Sequence, residues 1–377
     1  MAGRWTGTFS TLLRRVHGPT LVVALALYAC GILAIHQAEV FEDVPFRASF
    51  AFKQLVFGGA ALAALVASLA IPPSWFERSA LGLWGIGVFL LLICAFIGVV
   101  KNNARRWIDL GVLLLQPSEP MKIGLVLAAS KILGDFRNAR GPALVGLGVL
   151  TGVPFLLIVR QPDLGTSLML VPIAGTLAFL SGLRWRVIAG VVVVAGLAAP
   201  IAFETVLEPY QKKRVFAFLD QESGRDAENY QLTRALEAIG SGGMAGVRDR
   251  DQLYSLLSRV PERHTDFVFA VIGARYGLMG AGAVVILEAA LVLALLRLAA
   301  KSRDPFGRLV PSGVAAMLGT QAFWNIAMNL GLAPITGLPL PLVSYGGSSL
   351  VTTTFALGIS MNAARRPQPH GYGRSGA

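Results

Sequence analysis

The chain has 377 residues, of which 54% are hydrophobic and 14% charged, and its formal net charge is +12. Soluble domains carry about a quarter charged residues, so this composition excludes an ordinary water-soluble fold, and uninterrupted apolar runs such as Val187 to Phe203 exceed the strands of a buried sheet. The basic excess does not indicate a nucleic-acid binder: it sits in short loops beside apolar runs, with no zinc-ligand spacing or aromatic-interleaved basic helix.

Crossing the ~30 Å of hydrocarbon takes roughly 20 apolar residues in a helix. Cutting at charged and Pro/Gly-rich interruptions then predicts an all-α integral membrane protein of about ten spans. Their centres lie near Leu27, Leu62, Phe89, Leu127, Leu150, Pro172, Val193, Ile286, Phe323 and Phe355. The expected division is a cytoplasmic N-terminal segment 1–18, a ten-span membrane domain 19–363 and a disordered cytoplasmic tail 364–377. One long extracytoplasmic loop, about residues 204–265, separates spans seven and eight. The first run follows Arg4, Arg14 and Arg15 and lacks a small-residue cleavage site, so it reads as a retained span rather than a signal peptide. Cys30 and Cys94 fall inside apolar runs and read as small core residues. The fourth span is the most polar, because it starts in the run around Ser118 and Glu119.

Loop charges set the orientation. Arg14 and Arg15, Arg137 and Arg140, Arg184 and Arg186, Arg297 through Arg308, and Arg365 and Arg366 share one side if spans alternate. Both termini are therefore expected in the cytoplasm. The other side receives Glu39, Glu42, Asp43 and the long loop. No soluble catalytic domain is expected, so any chemistry is expected at the membrane surface.

A charge beside a span is expensive and asks for a reason. Four polar clusters map to the outer side. Lys101 to Ile108 leads to Gln116-Pro117-Ser118-Glu119-Pro120-Met121-Lys122; Arg160 to Thr166 abuts span six; Val260 to Phe267 abuts span eight; and Gly337 to Ser349 enters span ten. Plain structural readings fit some of these. Arg105, Arg106 and Trp107 also suit interfacial anchors; Glu119 and Lys122, three apart, suit a helix ion pair; Asp163 suits a cap of span six. The Gly/Pro-rich cluster suits a helix break where backbones approach closely. Asp266 differs. Thr265 is the better cap there, so a carboxylate at the head of a strongly apolar helix is partly desolvated, the setting of a general base.

Together these segments resemble the SEDS family (shape, elongation, division and sporulation), of RodA/FtsW type. Arg106-Trp107-Ile108 with Gln116 to Glu119 and Lys122 resembles its RWI…QPSE..K segment, and Gln161 to Thr166 its QPDLGT segment. Tyr210-Gln211, Phe218 to Asp220, Tyr230-Gln231 and Ile239 to Gly243 are similar to its long outer loop. Pro261 to Phe267 matches PERHTDF, and Asn325, Met328, Gly331 and Pro334 to Ser349 match its closing motif. The resemblance spans about residues 20–362. It implies a peptidoglycan glycosyltransferase that polymerises lipid II at the outer face of the bacterial inner membrane, for cell elongation and shape. The short amino terminus and the Glu-Arg-His form of the third motif lean toward RodA, with an FtsW-type division enzyme as the alternative within the family.

Under that resemblance Asp266 is the general base on the acceptor sugar hydroxyl, and Arg105, Arg106, Lys122 and Arg263 neutralise the pyrophosphate leaving group. Glu119, Gln161, Asp163, Thr166, His264, Ser344 and Ser348 complete the expected substrate-binding set. The residues single out no cofactor for certain; a divalent cation sharing the neutralising role stays open, although no ligand cluster predicts a metal site. The implied partners are lipid II, a class B penicillin-binding protein and the cell-elongation machinery, with no nucleic acid. Two other classes stand beside this reading. A lipid II flippase would need polar groups near the bilayer midplane and repeated halves, and a non-catalytic scaffold for a transpeptidase would need no desolvated carboxylate. The chain departs from the family pattern twice, with Val247 to Gln252 in place of a GKG…GTQ stretch and Ala274-Arg275-Tyr276 in place of a Glu-Glu pair.

Overall fold

A bilayer leaves the backbone no partner but itself, so long apolar runs fold as helices. In the computed structural model the described residues are 15–39, 45–101, 104–109, 111, 114–135, 140–205, 212, 216, 218 and 227–365. They form α1 (Gly18–Glu39), α2 (Phe50–Ala70), α3 (Pro73–Ile97), β1 (Val99–Lys101), β2 (Ala104–Asp109), β3 (Leu114–Leu115), α4 (Ser118–Asp135) and α5 (Arg140–Arg160). There follow α6 (Leu164–Leu180), α7 (Trp185–Thr205), α8 (Ala227–Ser241), α9 (Arg250–Leu257), α10 (Val268–Lys301), α11 (Pro305–Asn329) and α12 (Gly347–Ala363). All ten expected span centres fall inside helices of α1–α7 and α10–α12. Residues 1–14 of the expected N-terminal segment and 366–377 of the expected tail, the pair Asn102-Asn103, Arg137 and most of 206–226 lie outside the described residues.

Local chemistry marks the helix starts. Ser49 caps α2 by accepting from the Phe52 amide at 3.1 Å, and Asp304 caps α11 by accepting from Gly307 at 2.9 Å. Pro73 and Pro305 open α3 and α11, where a missing N–H leaves nothing unpaired.

The lateral surface shows a membrane protein, because the exposed faces are the apolar ones: Val22, Leu62, Phe89, Ile286 and Phe323 all point outward. Helices α1, α2, α3, α5 and α10 are each long and apolar enough to cross a membrane. Helix α4 is more polar for a positional reason. Residues 121–130 are all buried, and α4 packs against α3, α5, α6 and α11, so lipid does not see its Lys122 or Ser130.

Two stretches depart from the sequence reading. The first polar cluster, read from its charges as interfacial anchors or pyrophosphate contacts with no strand foreseen, forms an antiparallel hairpin pairing Val100 with Arg105, extended by Ile108 against Leu115. Its β-branched and aromatic residues favour extended backbone. The long loop is partly helical. Leu232, Ala235 and Ala238 of α8 and Leu253 and Leu257 of α9 form a second apolar core with Phe267, Ala270 and Val271 at the head of α10. Helix α10 breaks at Gly277, whose φ of 64° is in the left-handed region glycine tolerates. The turn after α8 docks on that break, with the Val247 amide donating to the Ala274 carbonyl and the Leu278 amide to the Gly243 carbonyl, both at 2.8 Å. The kink therefore leaves these groups paired.

The bundle has two distinct ends. At one, Arg365 Nη2 donates to the Val16 carbonyl at 3.1 Å, and Asn362 Nδ2 donates to the Ser68 carbonyl at 2.9 Å. The other end gathers the four polar clusters.

Candidate active site

Asp266 lies just ahead of α10, half-buried, and its main chain is held from α11. Asn325 and Asn329 sit four apart on one helical face, and their Nδ2 groups both donate to the Asp266 carbonyl, at 2.9 and 3.0 Å. Asn329 Oδ1 also accepts from the Ala270 amide at 3.2 Å. That bond caps α10 from a neighbouring helix, a role the sequence suggested for Thr265. Thr265 instead donates from its hydroxyl to Glu262 Oε2 at 2.9 Å.

The fourth cluster forms the wall beside the carboxylate. Gly337 has a φ of 73°, and a Cβ there would stand 3.4 Å from Asp266 Oδ2. Asn325 Nδ2 donates to the Leu338 carbonyl at 2.8 Å. Ser344 Oγ donates to the Thr265 carbonyl at 2.6 Å and accepts from the Leu340 amide at 2.8 Å. The Tyr345 amide donates to the His264 carbonyl at 2.9 Å. Clusters three and four are thus stitched residue by residue.

Helix α2 braces this junction. Gln54, fully buried, donates from Nε2 to the Ser344 carbonyl and accepts at Oε1 from the Gly346 amide, both at 3.2 Å. The Phe50 ring stacks on His264 with centroids 4.1 Å apart, and the Tyr345 ring meets Phe50 edge-on at 4.8 Å. Burial, with the charge of Glu39 adding to it, raises the Tyr345 phenol above its usual range, so it remains a protonated donor. Arg263 Nε donates to the Ala38 carbonyl at 2.8 Å.

The first two clusters are bonded to each other, and the first also to the fourth. Arg106 Nε donates to the Gln161 carbonyl at 3.2 Å, and its Nη2 donates to the Pro162 carbonyl. Arg105 is exposed on β2, with Nη1 on the Phe96 carbonyl at 3.0 Å. Gln161 Nε2 donates to the Leu91 carbonyl at 2.7 Å. Asp163 caps α6, accepting from the Thr166 amide at 3.2 Å and hydroxyl at 2.9 Å, and also from Gln116 Nε2 at 3.2 Å. The Gln116 amide donates to Ser348 Oγ at 3.3 Å. A Cβ on Gly165 would come within 2.9 Å of the Thr336 carbonyl, so only glycine lets α6 lie this close to the fourth cluster. Lys122 and Glu119 are 1% and 2% exposed. Lys122 Nζ donates to Glu119 Oε1 at 2.8 Å and to Gln321 Oε1 at 3.0 Å.

All four clusters are therefore joined in one bonded assembly, the third to the fourth, the fourth to the first and the first to the second. Gln54, Gln321 and Asn329 were missing from the sequence-derived set. Each is an uncharged polar residue inside an apolar helix, a signal that a search for charges passes over. The two departures from the family pattern touch: Arg275 Nη1 donates to the Val247 carbonyl at 3.0 Å. Among the described residues, no group of three or more His, Cys, Asp or Glu side chains could hold a metal ion.

Chemically, this is a half-buried carboxylate at a membrane edge, with its backbone and facing wall fixed and arginines on the flanking segments. That arrangement suits proton removal from a hydroxyl next to an anionic group. Residues 19–368 match the FtsW/RodA/SpoVE family, described as cell cycle protein. The chain is 37% identical to peptidoglycan glycosyltransferase MrdB of Escherichia coli K12, covering 93% of this chain and 95% of that one. It is 36% identical to a probable peptidoglycan glycosyltransferase FtsW of Marinobacter nauticus, covering 90% and 88%. Among solved structures, a chain of a peptidoglycan synthase complex that coordinates polymerization and crosslinking matches with a TM-score of 0.79 at 31% identity, covering 92% and 96%. The rod shape determining protein RodA of Thermus thermophilus matches with a TM-score of 0.69 at 30% identity, covering 92% and 95%.

Proposed function

The chain belongs to the FtsW/RodA/SpoVE family, the SEDS proteins, and on that premise we infer that it is a peptidoglycan glycosyltransferase that polymerises lipid II for cell elongation and shape. It works as a ten-span protein of the bacterial inner membrane, with both termini in the cytoplasm and the clustered end facing outward. The bond between Arg365 and the Val16 carbonyl supports placing the two termini on one side, and the loop charges make that side the cytoplasmic one.

The observation that carries the mechanism is the half-buried Asp266 carboxylate, with Asn325 and Asn329 fixing its backbone and Gly337 of the fourth cluster standing against it. Its carboxylate takes the proton from the acceptor sugar hydroxyl as that oxygen attacks the anomeric carbon of the donor. The bond to the lipid pyrophosphate breaks on the opposite face, so the centre inverts. Pyrophosphate leaves as a stable anion and needs neutralisation rather than a general acid. Arg105, Arg106 and Arg263 supply that charge, because guanidinium forks suit phosphoryl oxygens. Gln161, Asp163, Thr166, His264, Ser344 and Ser348 shape the rim that receives the substrate. A class B penicillin-binding protein is the crosslinking partner, a reading that the related synthase complex supports.

The test is polymerisation of lipid II by purified protein, with and without Asp266→Asn. A positioned base contributes about 10² to 10⁴ in rate, so the variant should make no detectable glycan while eluting and melting as the parent does. A variant retaining more than roughly a tenth of parental turnover removes Asp266 from the role. Supplying lipid II from the outer side alone separates enzyme from flippase, since only an enzyme then yields polymer.

A further inference from the structure

Lys122 is a cation at the candidate site, yet it is 1% exposed and both of its bonds point into the protein. Glu119 Oε1 takes one N–H and Gln321 Oε1 another. The second bond fixes which way the Gln321 amide faces, because its Nε2 is thereby aimed at the Pro339 carbonyl, 2.8 Å away. One turn along the same face of α11, Asn325 takes the preceding carbonyl, Leu338, and the Asp266 carbonyl. The segment held in this way contains Gly337, which stands against the Asp266 carboxylate. Pro339 and Pro341 have no N–H with which to anchor it.

We propose that Lys122 is a positioning residue for Asp266, acting through Gln321 and the Pro339 carbonyl, and is not a ligand to the substrate pyrophosphate. Loss of its ammonium frees the Gln321 amide to turn, and the wall facing the carboxylate loses one of its side-chain anchors on α11, keeping those of Asn325 and Met328. Misplacing a reacting group by about 1 Å is enough to lower turnover roughly 100-fold. This inference rests on the reading of Asp266 as the base.

The experiment compares Lys122→Met, Gln321→Leu and the double variant, using purified protein and lipid II with kcat and KM measured separately. Positioning predicts that each single change lowers kcat by about 10- to 100-fold with KM within about twofold, because only transition-state geometry is lost. The double variant should be no slower than the worse single, since both cut one path. A raised KM with kcat preserved in Lys122→Met, or independent multiplying losses in the double variant, overturns the proposal in favour of a phosphate contact. Should Lys122→Met fail to fold, Gln321→Leu decides, because it leaves the ion pair intact: parental kcat there overturns the proposal. Parental protein without product would mean that the glycosyltransferase reading has failed and this inference with it. Product from Lys122→Met at the parental kcat and KM sinks the inference alone.

Discussion

Two glutamates lie equally deep in this protein, Glu119 at 2% exposure and Glu288 at 3%, in regions built on opposite plans. Glu119 sits in the first turn of α4 at the clustered end and is paired with Lys122, which in turn reaches α11. Glu288 lies well inside α10, lines a cavity of about 530 Å³ against Phe323 and Ile326 of α11, and neither of its carboxyl oxygens has a hydrogen-bond partner. Burial of an acid therefore separates nothing by itself. What distinguishes the site is bonding: its buried polar groups lead, one after another, to the residue proposed to do chemistry.

The largest expected effect comes from cutting the bonded region. Glu119→Ala strands the Lys122 ammonium in the interior, and removing one partner of a buried pair costs about 3–5 kcal/mol. A large fall in detergent melting temperature and loss of polymerisation should follow; a melting temperature close to the parent's would mean that the pair is not the strut described above. Asn329→Leu should be intermediate. It removes the bonds to Asp266 and Ala270, at a cost on the order of 1–3 kcal/mol, and turnover should fall while KM for lipid II stays near the parental value. Glu288→Leu is the smallest. It exchanges an unpaired buried carboxyl for a side chain that suits the apolar cavity lining, so the purified chain should polymerise at the parental rate and melt at the same temperature or higher. Collapse of polymerisation in that variant would break the comparison and bring the middle of α10 into the mechanism.

The sequence reading treated these regions unequally for a physical reason. Polar clusters at span edges stand out against apolar runs, so Arg106, Gln161, Asp163, Asp266 and Ser344 were legible as exceptions needing explanation. Glu288 drew no attention because it is one carboxyl in a helix whose other residues pass for lipid-facing. Gln54 and Gln321 were also missed, since a single amide hardly changes the mean hydropathy of its run. The hairpin at 99–115 and helices α8 and α9 fell into stretches read by their charges, where a short alternating or amphipathic pattern is weak beside the membrane signal.

The sequence by itself determined that the chain lives in a bilayer, where its helices are centred, which segments stand out as polar at span edges and which family they resemble. These features follow from runs and motifs local along the chain, since hydrocarbon thickness fixes a helix length and desolvation makes each stray charge conspicuous. Only the tertiary structure decided that Lys122 faces Gln321, 199 positions away, and that Gln54 grips the Ser344–Gly346 turn from 290 positions away. Such pairings depend on which helix faces pack together, and packing depends on the shape of both partners at once. A one-dimensional pattern holds only one of them at a time.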